Sequence, residues 1–271
     1  TEGSLLIEKK IYDSLIEPVV RNRIGRQLAA LFIGPGGVPG SSVDIDLVSP
    51  ETAKVFVVGE FGPVPMNSVL YTSLNVKPKK YGTRPVISKE MMEDGKWDLI
   101  ALNLQQAALE FAYNEDKLII TALDGAANTQ AGGAAIVITD ITRAIQYLED
   151  DDYKASDLLV GPEVANDLRN IDTFVEANKY GNTDMLMNGM IGKIYGMNVL
   201  QFSPTSTPTP ATYSKYAYVI DRSQAFVVVE KRPVTIERYD DVTHDLSGAV
   251  MTQRIDVQLL TSAAVVKITT S

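Results

Sequence analysis

The sequence predicts an α+β fold, with strands and helices segregated along the chain rather than strictly alternating. Two observations carry that prediction. Apolar and polar residues alternate between Gly/Pro clusters in the first third of the chain and again toward its end, which marks strands. Between these regions one long segment repeats its apolar residues every three or four positions, which marks a helix.

Residues 4–33 are mixed. Leu5, Leu6, Ile7, Ile11, Leu15 and Ile16 suit helical or extended packing, Pro18 interrupts them, and 22–32 (NRIGRQLAALF) suits a short docking segment. An N-terminal arm lying over another surface is the simplest reading. A breaker cluster follows, Gly34-Pro35-Gly36-Gly37-Val38-Pro39-Gly40. Strand patterns run over 42–48 (SVDIDLV), 54–59 (KVFVVG) and 68–76 (SVLYTSLNV), with Gly62-Pro63-Val64-Pro65 as a second break. Residues 40–80 therefore predict a long protruding hairpin, too polar and too rich in Gly and Pro for a core of its own. Residues 83–87 continue as strand.

Ser88 predicts a helix N-cap, with Glu90, Glu93 and Asp94 placed for the helix dipole and Gly95 as the stop. The long helix starts near Trp97 and Asp98 and stops at Asp124-Gly125. Trp97, Ile100, Leu104, Ala108, Phe111 and Leu118 form its main stripe, and Leu99, Leu102, Leu109 and Tyr113 a neighbouring one. So broad an apolar surface predicts cover on most sides, leaving Asn103, Gln106, Glu110, Asn114 and Lys117 as a narrow polar strip.

Residues 126–135 (AANTQAGGAA) read as a loop. Asp140 suits the cap of a helix through about Leu148, ending before Glu149-Asp150-Asp151-Asp152 because the dipole disfavours acids there. Residues 157–160 (DLLV) predict a buried strand, and Gly161-Pro162 opens a helix to about Arg169. A turn at 178–182, a strand over 192–202 and a polyproline-like loop over 203–212 come next. Strands are predicted over 216–221, 225–230 and 234–238, and one last long strand over 254–268.

The 271 residues are 45% apolar and 22% charged, enough for a real core in one or two domains. A net charge of −9 makes a poor sequence-independent binder of nucleic acid, since neutralising phosphates requires Lys and Arg. No cysteine is present, which excludes disulfides and thiolate chemistry, and the single histidine, His244, excludes a multi-histidine metal site. No window is apolar enough to predict a membrane-spanning helix. The chain begins at Thr1 without a basic-apolar leader, so a numbering choice and the proteolytic removal of an upstream segment both stay open.

Four clusters invite a chemical reading. Gly189-Met190-Ile191-Gly192-Lys193 lacks the glycine spacing and the following Ser/Thr of a phosphate loop, so it reads as a turn before a strand. Glu149-Asp150-Asp151-Asp152 lacks the spacing of a calcium loop and reads as a solvated turn. His244 lies among Asp240, Asp241 and Asp245 with no nucleophile elbow to serve, which suits a surface-loop histidine. Lys77-Pro78-Lys79-Lys80 suits a contact with a neighbouring subunit, a solvated turn or, less well given the overall charge, nucleic acid. No catalytic, cofactor or metal site is predicted. An arm, a long hairpin and a long helix are protrusions that a lone chain cannot bury, which points to cover by other copies.

That order of parts resembles the major capsid proteins of tailed bacteriophages and related archaeal viruses, the Hong Kong 97 phage fold, over essentially the whole chain. Residues 1–39 resemble the N-terminal arm, 40–80 the E-loop, 81–125 with Leu123-Asp124-Gly125 the spine of the P-domain, and 126–230 the A-domain with Leu158-Leu159-Val160-Gly161-Pro162. Residues 231–271, following Asp221-Arg222-Ser223-Gln224-Ala225, resemble the strands returning to the P-domain. The resemblance implies a structural protein, not an enzyme, that self-assembles into pentamers and hexamers of an icosahedral shell. The shell would enclose double-stranded DNA without sequence-specific binding, as a virion capsid assembled in the host cytoplasm with no membrane and no cofactor. Portal, scaffold, maturation protease and decoration proteins are the family's further partners. Removal of a scaffolding segment by that protease would account for Thr1. Assembly contacts are expected at Lys54, Phe56, Lys77, Lys79 and Lys80. Some members join an E-loop lysine to a P-domain asparagine; Lys54 would supply the amine, but residues 240–248 contain no asparagine, so no such crosslink is expected. An encapsulin shell holding an enzyme cargo is the alternative, and a soluble α+β enzyme is a third reading that the missing catalytic constellation disfavours.

Overall fold

The computed structural model describes residues 25–38, 40–48, 55–66, 70–94, 99–171, 190–203 and 208–270. Expectations for 1–24, for Lys54, for Gly95 and Trp97, and for the turn at 178–182 lie outside them.

Thirteen described strands form three sheets. β1 (Leu31–Ile33), β11 (Phe226–Asp241), β12 (Leu246–Leu259) and β4 (Lys79–Thr83) make one sheet in that spatial order, and β5 (Val86–Ser88) joins β12 farther along. The second sheet runs β6 (Asn128–Ala131), β13 (Val265–Thr269), β10 (Tyr216–Ile220), β7 (Asp157–Val160), β9 (Met197–Gln201) and β8 (Met190–Ile194). β2 (Val43–Val48) and β3 (Tyr71–Val76) form a separate antiparallel ribbon. The described helices are α1 (Lys89–Asp94), α2 (Leu99–Leu123), α3 (Ile138–Asp150), α4 (Pro162–Arg169) and the short α5 (Pro210–Tyr213); they alternate with strands between β6 and β10 and are segregated from them elsewhere.

Helix α2 spans 25 residues, about 37 Å at 1.5 Å per residue. Leu104, Ala107, Ala108 and Phe111 pack on Ala249 and Met251 of β12. Farther along, Ile119, Ile120 and Leu123 enter the junction core with Leu28, Leu159, Leu200, Phe202, Tyr218, Phe226, Val228, Ile255 and Val257. That core joins the helix to both large sheets. The far face of the second sheet holds Leu158, Val160, Val199, Ala217, Val219 and Val266 against α3 and α4. All four residues of β7 are buried, so its continuous apolar run reflects cover on both faces. Ser88 caps α1 as predicted: its hydroxyl accepts the Met91 N–H at 3.3 Å.

Several expectations are corrected. Described residues 55–59 contain no strand. Residues 126–135 contain β6, a parallel edge strand whose pairing with β13 overrides its loop-like composition. The strand predicted over 192–202 is two strands, folded back at Tyr195 (φ 48°) and Gly196 (φ 82°). Successive positive φ values turn a two-residue hairpin with the twist its strands require, and Gly196 meets that at no steric cost. The strands over 225–230 and 234–238 are one, β11; bulges between Glu230 and Thr235 absorb Pro233, which has no N–H for the ladder. The last strand is divided: β12 ends at Leu259, and after a turn at Ser262–Ala264 β13 enters the second sheet rather than returning to the first. Helix α3 continues through Glu149 and Asp150, because buried Leu148 anchors its last turn while the acids face solvent. Asp140 lies inside the first turn, where its carboxylate accepts the Val137 N–H at 3.3 Å. Within 203–212, Pro210 begins α5. The described residues cover helix α2 on one side: Leu102 is 54% exposed, whereas Glu115 and Asp116 are buried.

Candidate assembly surface

Strand β2 alternates strictly between half-buried and exposed residues, whereas β3 alternates only from Ser73 to Val76. Val43 and Ile45 pair with Val76 and Leu74 and pack, with Ile33 and Val38, on Val227 and Val229 of β11. Asp44 and Asp46 take the other, exposed face, where Asp44 accepts a hydrogen bond from the Asn75 amide. The ribbon is thus seated at its base and leaves the body at its far end, where the Val48–Tyr71 pair is exposed on both sides.

Beyond that pair every described residue from 55 to 66 is exposed. Val55, Val57, Phe61 and Met66 are about as accessible as in an extended chain, at 100%, 104%, 100% and 101%. Val64 is 78% exposed and Phe56, an expected contact, 48%. Glu60 is the single charge in this stretch. Contiguous exposed apolar surface of this kind marks an interaction site. Burying six such side chains contributes on the order of 10 kcal/mol.

Lys77, Lys79 and Lys80 are all exposed. Lys77 follows the ribbon, while Lys79 and Lys80 open the edge strand β4, opposite Ile255 and Arg254. Pro78 between them is buried and its carbonyl accepts a hydrogen bond from Arg254 Nη2 at 3.3 Å. Edge lysines discourage indiscriminate strand pairing. Lys54, the remaining expected contact, lies outside the described residues.

His244 is at the exposed tip of the β11–β12 hairpin, its Nδ1 2.8 Å from Asp241 Oδ2. Asp241 organises that turn by accepting the Thr243 hydroxyl at 2.7 Å and the Thr243 N–H at 2.9 Å. The Thr243 hydroxyl first, and then His244, hold its carboxyl well below the usual carboxylate range. Lys89 Nζ bridges to Asp245 at 2.6 Å and ties α1 to the same tip. Lys193 lies within β8, paired with Asn198 of β9. Among the described residues no group of three His, Asp or Glu side chains converges as a metal site, and no helix is long and apolar enough to cross a membrane. The crevice between Pro85, Ile87, Asn103 and Ala249 encloses about 160 Å³. Small-molecule sites take about 300–1,000 Å³.

Sequence reasoning located the ribbon strands and the lysine run. It expected the hairpin to protrude but placed a strand over 54–59 that the described residues 55–59 do not form, although the Pro63 and Pro65 that flank Val64 were a signal against strand pairing nearby.

A family model described as "Phage capsid protein" matches residues 71–268. No curated protein sequence matches significantly. Among solved structures, one described as "Microbacterium phage Oxtober96" superposes with a TM-score of 0.69 at 15% identity, covering 92% of this chain and 91% of that one. "Asymmetric unit of bacteriophage PhiM1 mature capsid" gives 0.65 at 12% identity, over 92% and 87%. "Crystal structure of virus-like particle from Pyrococcus furiosus" gives 0.62 at 13% identity, over 96% and 98%.

Proposed function

Because the chain belongs to the phage capsid protein family and has the Hong Kong 97 phage fold, we propose that its copies join as pentamers and hexamers in a closed icosahedral shell around double-stranded DNA. It is a structural capsid protein of the virion. In this reading the β2–β3 ribbon and its loop, within an E-loop of residues 40–80, reach onto a neighbouring copy. Residues 1–39 are the arm, 81–125 the spine segment, 126–230 the A-domain and 231–271 the returning strands. β13 then belongs to the returning segment by sequence and to the A-domain sheet by pairing. Lys54, Phe56, Lys77, Lys79 and Lys80 are the proposed assembly contacts. Assembly takes place in the host cytoplasm, and DNA is held without sequence-specific contacts.

The observation that carries this reading is the apolar loop with Val55, Val57, Phe61 and Met66 fully in solvent. No described residue of the chain covers that surface, whereas association with another copy would. The phage family match favours a virion shell over an encapsulin compartment; nucleic acid rather than a cargo enzyme inside purified particles is the expected content.

The test replaces residues 49–70 with an Asn-Gly turn, so that the paired Val48 and Tyr71 are joined directly. Removing all of 40–76 would also extract Val76, which is fully buried at the ribbon's base. The shortened chain is expected to fold and to form no stable shells by electron microscopy. Normal shells would overturn the assembly role of the loop.

A further inference from the structure

Residues 25–38 form a strap that starts beneath α2 and ends beneath the ribbon. At its start the Gly25 N–H donates to Asp116 Oδ1 at 3.0 Å. A β-carbon at Gly25 would meet Ile119 Cδ1, so glycine lets the strap approach α2 without displacing that side chain. Arg26 then enters between α2 and the first sheet. Its Nε and Nη2 donate to the two oxygens of Glu115 at 2.6 and 2.9 Å, and its Nη2 and Nη1 donate to those of Glu230 at 3.2 and 3.3 Å. Gln253 Nε2 adds a bond to Glu230 at 3.0 Å. Phe32 stacks 4.7 Å from the guanidinium carbon. The Glu115 and Glu230 side chains are 0% and 7% exposed, and one nitrogen of Arg26 bonds to both. Without that cation, two buried carboxylates from facing layers would repel each other.

At the strap's other end, β1 lies parallel on β11 at Val227–Val229, and Ile33 and Val38 pack against Val43, Ile45, Leu74 and Val76 of the ribbon. The same fourteen residues therefore close the helix onto the sheet and supply part of the seat on which the ribbon stands.

We propose that Arg26 is a positioning residue for assembly: its ion cluster fixes the strap, and the strap sets the placement of the ribbon. Docking of the strap, closure of α2 on the first sheet and alignment of the ribbon are then one coupled event. The assembly role rests on the function proposed above, whereas the coupling itself is measurable in the unassembled chain.

The experiment is amide hydrogen exchange on the full-length, unassembled chain carrying Arg26→Met, Val38→Ala, or Arg26→Met with Glu115→Gln and Glu230→Gln. In Arg26→Met, amides of 31–33, 43–48 and 71–76 are expected to exchange about tenfold faster together, with β7 and β10 unchanged. The charge-free triple variant is expected to recover that protection, which a purely steric role for the arginine would not produce. Val38→Ala leaves the residues of the ion cluster in place and is expected to speed exchange of 31–33 and of the ribbon together, so it carries the test if Arg26→Met does not fold. Wild-type ribbon exchange in Val38→Ala, or a strap that exchanges freely beside a protected ribbon in Arg26→Met, would overturn the coupling. Shell formation by these variants, read separately, bears on the assembly function.

Discussion

Arg222 grips Asp157 with two bonds, from Nη2 to Oδ1 at 2.7 Å and from Nε to Oδ2 at 3.0 Å, at the corner where β10 leaves the second sheet for β11 in the first. The Asp157 side chain is 1% exposed and also accepts from the Ser156 hydroxyl and the Asn198 amide. Arg222 is half in solvent, so the pair is a partly screened clamp rather than a fully buried bridge. Arg222→Ala leaves a buried carboxylate with two of its partners and is expected to cost about 2 kcal/mol. Chemical denaturation measures it, and a change below about 0.5 kcal/mol would deny the clamp a structural role.

Two leucines on α2 separate folding from assembly. Leu104 is 3% exposed against Phe111 and Met251. Leu104→Asp places an unpaired charge there, at a cost of several kcal/mol, and is expected to abolish the folded subunit by circular dichroism. Leu102 is 54% exposed. Leu102→Asp is expected to fold within about 0.5 kcal/mol of the parent chain.

Phe56→Ser with Phe61→Ser removes two aromatics from the loop beyond the ribbon. Neither lies in a core cluster of the chain, so the melting temperature is expected to stay the same. Sedimentation is expected to find free subunits or small oligomers where the parent chain forms particles. Particles in undiminished yield would assign the loop another purpose.

The β11–β12 tip carries a defined pH dependence. Asp241 is depressed in the folded chain relative to an unfolded value of 3.8. A depressed carboxyl contributes stability that is complete above the unfolded value and disappears as pH falls through the folded one. Asp241→Asn is therefore expected to speed exchange of the tip amides at neutral pH. The difference from the parent chain should close on acidification below about pH 4. A difference that grows on acidification would reverse the assigned sign.

Local chemistry made much of this architecture legible. The spacing of Leu104, Ala108 and Phe111 marked the long helix, Ser88 marked the start of α1, and Gly161-Pro162 marked α4 to within a residue. Patterns confined to one segment need no distant partner to be read. β6 was hidden because its strand character comes from β13, more than 130 residues away. Glu115 and Asp116 were hidden because a helix pattern assigns acids to solvent, whereas Arg26 and Gly25 meet them in the interior. The division of the last strand was hidden because both sheets demand the same apolar residues.

The sequence by itself determined the type and order of most of the longer elements, the acidic balance and the absence of cysteine chemistry. These follow from backbone preferences and side-chain periodicity within each segment. Tertiary structure decided which apolar residues find cover. Residues 54–59 (KVFVVG) read as a strand of a protruding hairpin, yet the described part forms no strand and stands in solvent, while the acids of α2 are buried. Burial depends on whether a partner surface arrives, and for residues 55–66 none comes from the described residues of the chain itself.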